Sequence, residues 1–431
     1  MLARTKAHAD EVISLLDIGS FKTTCLIISR RAVTGSPARA PFRVLGIGQC
    51  RSQGIKAGSV TDLNLAEETV RAAVGRAEAQ AGFQIEEVVL AATCGRIASQ
   101  TFAASRPVPC GRVGETDIDA VLGAAETFAG REGRSLLHLH GLGYRVDDAP
   151  VANPIGMAAS TLTLDVNAVT ADEVPLRNLT LLVERSYLRV AEIFAAPYAS
   201  ALATMTEEES RLGVAVVDMG GGTTTVAAFL EGQLVFADAI AVGGNHLSYD
   251  IARTLSTPLA EAERIKTLYA NLLGSHSDGH DLVSYPVAGV DREELSHTSR
   301  ARLRQIVEPR AGEILGLVRD RLVRSGFGEA ISSRFVLTGG ASGIVGLQAF
   351  AMRELGGSVR LGSLRAVPGL PPALAMPSLA AIAGLAGLAQ SGEAHARRPD
   401  RSAAAKGYLG QVGRWFRESF WDDEAKTGTG G

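Results

Sequence analysis

The chain has 431 residues, a formal net charge of −3 and 46% hydrophobic residues. That length exceeds one simple core and calls for two or more domains, and the near-neutral charge gives no reason to expect nucleic acid as a partner. The four cysteines, Cys25, Cys50, Cys94 and Cys110, make no C-x-x-C pair and no zinc spacing, so a reducing cytosol is their simplest home.

Met1–Asp10 carries mixed charges and no apolar stretch of the signal-peptide kind. Strand-like runs then follow at Val12–Leu16, Cys25–Ser29 and Val44–Gln49. Between the first two stands Asp17-Ile18-Gly19-Ser20-Phe21-Lys22-Thr23, an acidic strand end followed by a Gly/Ser turn. Such a hairpin tip can wrap its N–H groups and hydroxyls around phosphate oxygens, and Lys22 adds a counter-charge. A helix is expected over Leu65–Gly82, with Ala66, Thr69, Val70, Ala73 and Val74 on one face.

Gln84–Val169 reads as a compact α+β insertion. It has strand-like Val88–Ala92, a helix over Glu115–Ala129, and extended Leu136–His140 and Leu162–Val169. His138 and His140 alternate with leucines and have no third ligand nearby, which suits a half-buried strand better than a metal site.

The opening series then recurs at Val214–Val217, Val226–Leu230 and Leu234–Ala237, with Asp218-Met219-Gly220-Gly221-Gly222-Thr223-Thr224 between the first two. One Asp-x-Gly turn is common in proteins that bind nothing. Two in matching contexts imply two similar halves whose tips face one cleft. Asp17 and Asp218 would then hold Mg²⁺ through water beside the phosphates.

Glu263 and Lys266 share a face of a helix expected over Leu259–Leu273. They suit either ribose hydroxyls or an ordinary intrahelical ion pair. Ser275–Gly289 looks like a variable loop. Ser299–Ser325 reads as a long amphipathic helix with a possible kink at Pro309, its arginines on a solvated face. Strand Arg334–Leu337 leads into Thr338-Gly339-Gly340-Ala341-Ser342-Gly343 and a helix from Ile344, a backbone on which a flat ring could lie. Ala373–Ala389 is too short and too Ala/Gly-rich to span a bilayer. It reads as a buried helix, capped by Ser378, lying close against a sheet.

Ser391–Lys406 loses apolar periodicity and gains charge, the composition of a disordered linker. In the segment from Gly407 to Trp421, Leu409, Val412, Phe416 and Phe420 fall on one helical stripe, with Trp415 at its edge and Arg414 and Arg417 away from it. This pattern suits a helix lying in an anionic membrane interface; docking back on the core is the competing reading.

The three turns, in this order, resemble the actin, Hsp70 and sugar-kinase superfamily. Within it the chain resembles the FtsA family of bacterial cell-division actin homologues. Ser135-Leu136-Leu137-His138, Asn153-Pro154-Ile155-Gly156-Met157, the Gly213–Thr223 run and Gly243-Gly244-Asn245 carry that closer likeness, which covers roughly residues 10–390. The resemblance implies an α/β, actin-like, two-lobed ATPase fold. Lobe I would be a core of 10–83 (1A), completed by 170–200 and 374–390, with an SHS2-type subdomain (1C) inserted at 84–169. Lobe II would be 201–244 with 299–373 (2A) and 245–298 (2B). A linker at 391–406 and an amphipathic helix at 407–424 would follow.

The same resemblance implies ATP with Mg²⁺, bound by Asp17, Gly19, Ser20, Phe21, Lys22, Asp218, Gly220, Gly221, Gly222, Thr223, Gly243, Glu263, Lys266, Gly339, Gly340 and Ala341. It implies a polymerising protein that tethers the FtsZ ring to the cytoplasmic face of the inner membrane at the division septum, as a peripheral protein. Its partners would be the FtsZ C-terminal tail, further copies of itself in a filament, later divisome membrane proteins and an anionic lipid surface. The FtsZ tail would meet residues 245–298, where Arg253, Arg264 and Lys266 are basic. Ala195–Ser200, where relatives of this superfamily orient the attacking water, has no amide or carboxylate. Hydrolysis is therefore expected to be slow at most. The alternatives are a type IV pilus assembly protein of the same fold and a small-molecule kinase, for which no acceptor pocket or base is evident. A chaperone ATPase lacks room for a peptide-binding domain.

Overall fold

The computed structural model describes residues 11–30, 42–130, 133–289, 295–331, 333–364, 370, 375–391 and 396–398. Leu409, Val412, Trp415, Phe416 and Phe420, with the rest of the 407–424 segment and the linker from 399, lie outside the described residues.

Each of the two apolar series folds into a three-stranded meander, and the two share one register. In the first, Glu11–Ile18 pairs antiparallel with Lys22–Arg30, placing Asp17 opposite Thr24. In the second, Val214–Met219 pairs antiparallel with Thr224–Leu230, placing Asp218 opposite Thr225. Phe42–Arg51 and Gln233–Ile240 complete the meanders. Each first strand also takes a parallel neighbour, Glu87–Ala92 in one half and Arg334–Thr338 in the other. The runs are continuously apolar because both faces of these sheets are covered.

Helices supply the covers. Asp62 caps Leu63–Ala81 by accepting from the N–H groups of Asn64 (2.9 Å) and Leu65 (3.1 Å), and the expected face, extended by Ala77, is buried. Ala380–Ser391 packs on the helix Ala196–Thr204 as well as on the first sheet. Gly384 lies so close to the carbonyl of Ala199 that a methyl group there would overlap its oxygen.

Glu87–Ala92, expected within the insertion, belongs instead to the first sheet, between Glu11–Ile18 and Arg189–Ala195. The inserted segment is a sheet of Ala98–Pro107, Thr161–Asp172 and Arg134–Val146 under the helix Glu115–Ala129, with its own apolar core. It is not a free-standing sheet. A bridge between Ala98 and Asp238 joins it edge-on to the second meander. The N–H of Ala237 donates to Ser99 Oγ (2.6 Å), and Asn167 Nδ2 donates to the carbonyl of Leu234 (3.1 Å), which strengthens that seam.

Several local expectations are corrected. The helix Leu259–Tyr269 ends before Leu273, because the Asn271 side chain accepts from the Leu273 N–H (2.8 Å) and closes a turn instead. The Ser275–Gly289 loop contains a strand, Leu282–Pro286, paired with Leu295–Ser299. Arg300–Arg324 is one helix through Pro309. A 3₁₀ turn, Gly340–Gly343, follows Arg334–Thr338, and the helix starts at Leu347 rather than Ile344. Ser378 does not cap a helix but sits inside a 3₁₀ turn, Pro377–Leu379. His138 and His140 are buried, and so are Leu137 and Leu139 on the other face, so the strand expected to be half-buried is covered on both faces there.

Candidate functional site

The two hairpins lie in different sheets, and their tips meet by packing turn against turn. The Gly19 N–H donates to the carbonyl of Lys22 (3.1 Å) and closes the first turn. A methyl group on Gly221 would lie 2.6 Å from Phe21 Cβ, and one on Gly222 would lie 2.5 Å from Ser20 Cβ. The second tip can therefore meet the first only as glycines. Ser20 Oγ accepts from the Gly58 N–H (2.8 Å), while Phe21, 37% exposed, carries the Arg51 guanidinium 5.3 Å from its ring centre.

The remaining elements gather on the second tip. The N–H groups of Gly244 and Asn245 donate to the carbonyls of Gly220 (2.9 Å) and Gly221 (2.7 Å), pinning the start of the helix Gly244–Leu255 to the turn. Gly243 lies against the same carbonyls and the Thr223 nitrogen. Gly339, at φ +87°, brings its backbone against Asp218, where any side chain would collide with Oδ1. Ala341 Cβ and Lys266 Nζ lie 3.0 and 3.6 Å from where a Gly244 methyl would stand, and Gly340 faces Ser378. Residues spread from Asp17 to Ala341 thus converge on one place.

Asp17 and Asp218 are close enough to repel one another. Burial and then the charge of Asp218 push the Asp17 carboxyl up to about 7, opposed by Lys22. Burial also raises Asp218, opposed by a hydrogen bond from Ser200 Oγ to Asp218 Oδ2 (2.5 Å). Burial pushes Lys22 down while Asp17 opposes it, and Lys22 Nζ donates to Ser378 Oγ (3.3 Å). Directly opposite the two aspartates, Thr24 and Thr225 each bury a hydroxyl oxygen without a hydrogen-bond partner. Residues opposed on an antiparallel pair share a face. Apart from the Lys22 ammonium, the cluster therefore offers oxygen ligands, some unsatisfied, around a pair of like charges. That composition fits a hard, hydrated divalent cation. No group of three His, Cys, Asp or Glu residues arranged for a metal occurs among the described residues, so most ligands would come from water or a bound anion.

Glu263 and Lys266 form the intrahelical pair, Nζ to Oε2 at 2.7 Å. Lys266 also donates to the Gly244 carbonyl (3.1 Å) and Ser248 Oγ (2.9 Å), and Ser248 Oγ donates to Glu263. At 8% exposure Lys266 is not available to an acidic tail peptide, which corrects that part of the partner reading. The sequence alone does not single out Ser200 as a site residue; its place in Ala195–Ser200, where the superfamily orients a water, is the one signal for it.

A family model for cell division protein FtsA matches residues 215–384, and one for the SHS2 domain inserted in FtsA matches residues 94–170. The cell division protein FtsA of Agrobacterium fabrum is 38% identical over 430 residues, 97% of this chain and 96% of that protein. The chain belongs to the FtsA family of cell division proteins. The FtsA of Rhizobium meliloti is 39% identical over 95% of both chains. That of Escherichia coli is 31% identical over 88% of this chain and 92% of its own. Among solved structures, the PilM-PilN type IV pilus biogenesis complex aligns with a TM-score of 0.60 at 15% identity, covering 87% of this chain and 98% of that one. MreB5 of Spiroplasma citri bound to ADP aligns with a TM-score of 0.50 at 13% identity, covering 88% and 97%. The fold of this FtsA family member is therefore actin-like, with an SHS2 insertion, and no helix among the described residues is long and apolar enough to cross a membrane.

Proposed function

We propose that this FtsA family member binds ATP with Mg²⁺ between the two hairpin tips, polymerises, and tethers the FtsZ ring to the cytoplasmic face of the inner membrane at the division septum. Recruitment of later divisome membrane proteins would be part of the same role. The observation that carries the nucleotide part is the meeting of Ser20 and Phe21 with Gly221 and Gly222 over the coupled pair Asp17 and Asp218. MreB5 of Spiroplasma citri, which shares the fold, is bound to ADP in its solved structure, which is consistent with it.

The tips would give their N–H groups and the Ser20 and Thr223 hydroxyls to phosphates, with Lys22 as counter-charge. Asp17 and Asp218 would hold Mg²⁺ through water, and the ion would neutralise phosphate charge and relieve the repulsion between the two carboxyls. Gly339, Gly340 and Ala341 would carry the base, and Glu263 and Lys266 would flank the ribose. Ser200 is a hydroxyl occupied by Asp218, neither a base nor an amide, so turnover would be slow at most. Nucleotide would then act as a clamp across the tips. Closed protomers would assemble, and many weak terminal segments on one filament would attach it firmly.

The test is pelleting with anionic liposomes, comparing the full chain with one ending at Ala405, with and without Mg-ATP. Pelleting of the full chain alone, increased by ATP, supports the tether. Equal pelleting of both chains, or of neither, overturns it.

A further inference from the structure

Residues 396–398 lie in the stretch that composition assigns to a linker, yet they are tied to the inserted subdomain. The strand Arg134–Val146 pairs along one edge with Thr161–Asp172. Its other edge takes Ala149–Val151 opposite Tyr144–Val146, and further along it takes Ala396–Arg397, in parallel, opposite Leu139 and His140. Arg398 then reaches the helix Glu115–Ala129. Its Nη1 pairs with Glu115 Oε2 (2.7 Å) and its Nη2 with Asp119 Oδ1. Glu115 and Asp119 are four apart and share a helix face, so one guanidinium fork can hold both.

We infer that this edge and this acidic helix face form a docking surface for the chain's own 396–398 segment, a latch that fixes where the C-terminal part of the chain leaves the body. Two physical needs meet in it. An exposed strand edge exposes unpaired N–H and C=O groups and invites pairing with other chains, and a short self-derived strand covers it. The backbone pairing gives little sequence choice, so the arginine placed just beyond it selects the register. Both ion pairs are partly exposed, which makes the latch weak and salt-sensitive rather than permanent.

The consequence is a change of reach. With the latch closed, Arg398, the last described residue before the segment from Gly407 onward, is held beside the inserted subdomain; with it open, the last fixed point is the helix Ala380–Ser391. Effective concentration at any surface depends on where the chain is last held. The latch belongs to the lipid-free protein, so it can fail or hold independently of the membrane reading.

Hydrogen exchange of the backbone peptide covering 137–143 tests it, in the full chain at low salt without lipid. Ending the chain at Glu393 is expected to speed exchange there about tenfold, and E115K/D119K about threefold. Adding R398E to E115K/D119K is expected to restore protection, and raising salt is expected to loosen the parent. Unchanged exchange of the peptide covering 214–219 shows that each variant is folded. Equal exchange at 137–143 in the parent and the shortened chain would overturn the latch, as would a swap that restores nothing.

Discussion

Ser200 Oγ donates to Asp218 Oδ2 at 2.5 Å, across the seam between the helix Ala196–Thr204 and the second hairpin. The same helix presents Tyr198 to the rings of His138 and His140, 4.8 and 5.1 Å away, and the Ala195 N–H just before it donates to His138 Nε2 (2.9 Å). One short helix therefore touches both the candidate site and the inserted subdomain.

Replacing Ser200 by alanine removes the hydroxyl from a buried carboxylate. We expect a loss of about 2 kcal/mol, read as a lower urea midpoint at unchanged slope. A midpoint equal to the parent's would mean that water satisfies Asp218 equally well.

The ligand-free protein should lose stability as pH rises. The Asp17 carboxyl is held near 7 in the folded state, above its ordinary 3.8, so folding binds a proton that the unfolded chain does not. Its stabilisation is complete below about pH 4 and is lost as pH rises through about 7, at up to about 1.4 kcal/mol per pH unit between those limits. Thermal melts from pH 5 to 8 without divalent ions check this. Adding Mg²⁺ with ATP should flatten the trend, because the deprotonated pair is the form that would meet the cation. A melting temperature that rises over this window without ligand would contradict the buried, coupled pair.

For the nucleotide site, D17N and D218N should each weaken Mg-dependent binding of a fluorescent ATP analogue by at least about tenfold. Binding without Mg²⁺ should change less. Equal losses with and without the ion would place these residues elsewhere in the mechanism.

Gly384→Val drives a branched side chain into the Ala199 carbonyl. A cost of about 3 kcal/mol is expected from overpacking a backbone contact, and differential scanning calorimetry would show it as a lower transition temperature. Retained stability would mean that the two helices separate without cost.

Lys266→Met leaves the Glu263 carboxylate without its cation, at about 3 kcal/mol, whereas the double change with Glu263→Gln should recover part of that loss. Additive losses in chemical denaturation would argue against a coupled pair.

Much of the core is legible in the sequence. Continuous apolar runs with an Asp-x-Gly turn between them specify a buried hairpin, and both hairpins stand where the runs were read. The covered face of Leu63–Ala81 follows from its helical period. Less legible were features set by contacts between distant segments. Asn271 ended a helix early through its own side chain. Ser378 was read as a cap from its place before an apolar run, but Lys22, far away in sequence, donates to it.

By itself the sequence determined the duplication, the order of the turns and the family, because these depend on local residue types and spacing. Only the tertiary structure decided that Phe21 and Ser20 meet Gly221 and Gly222, that Lys266 turns inward to Gly244, and that Ser200 serves Asp218. It also decided that the inserted sheet joins the second meander at Asp238 and Ala98. Each of these joins residues far apart along the chain. No local period encodes such a pairing; it follows from which faces the packed sheets and helices leave opposed.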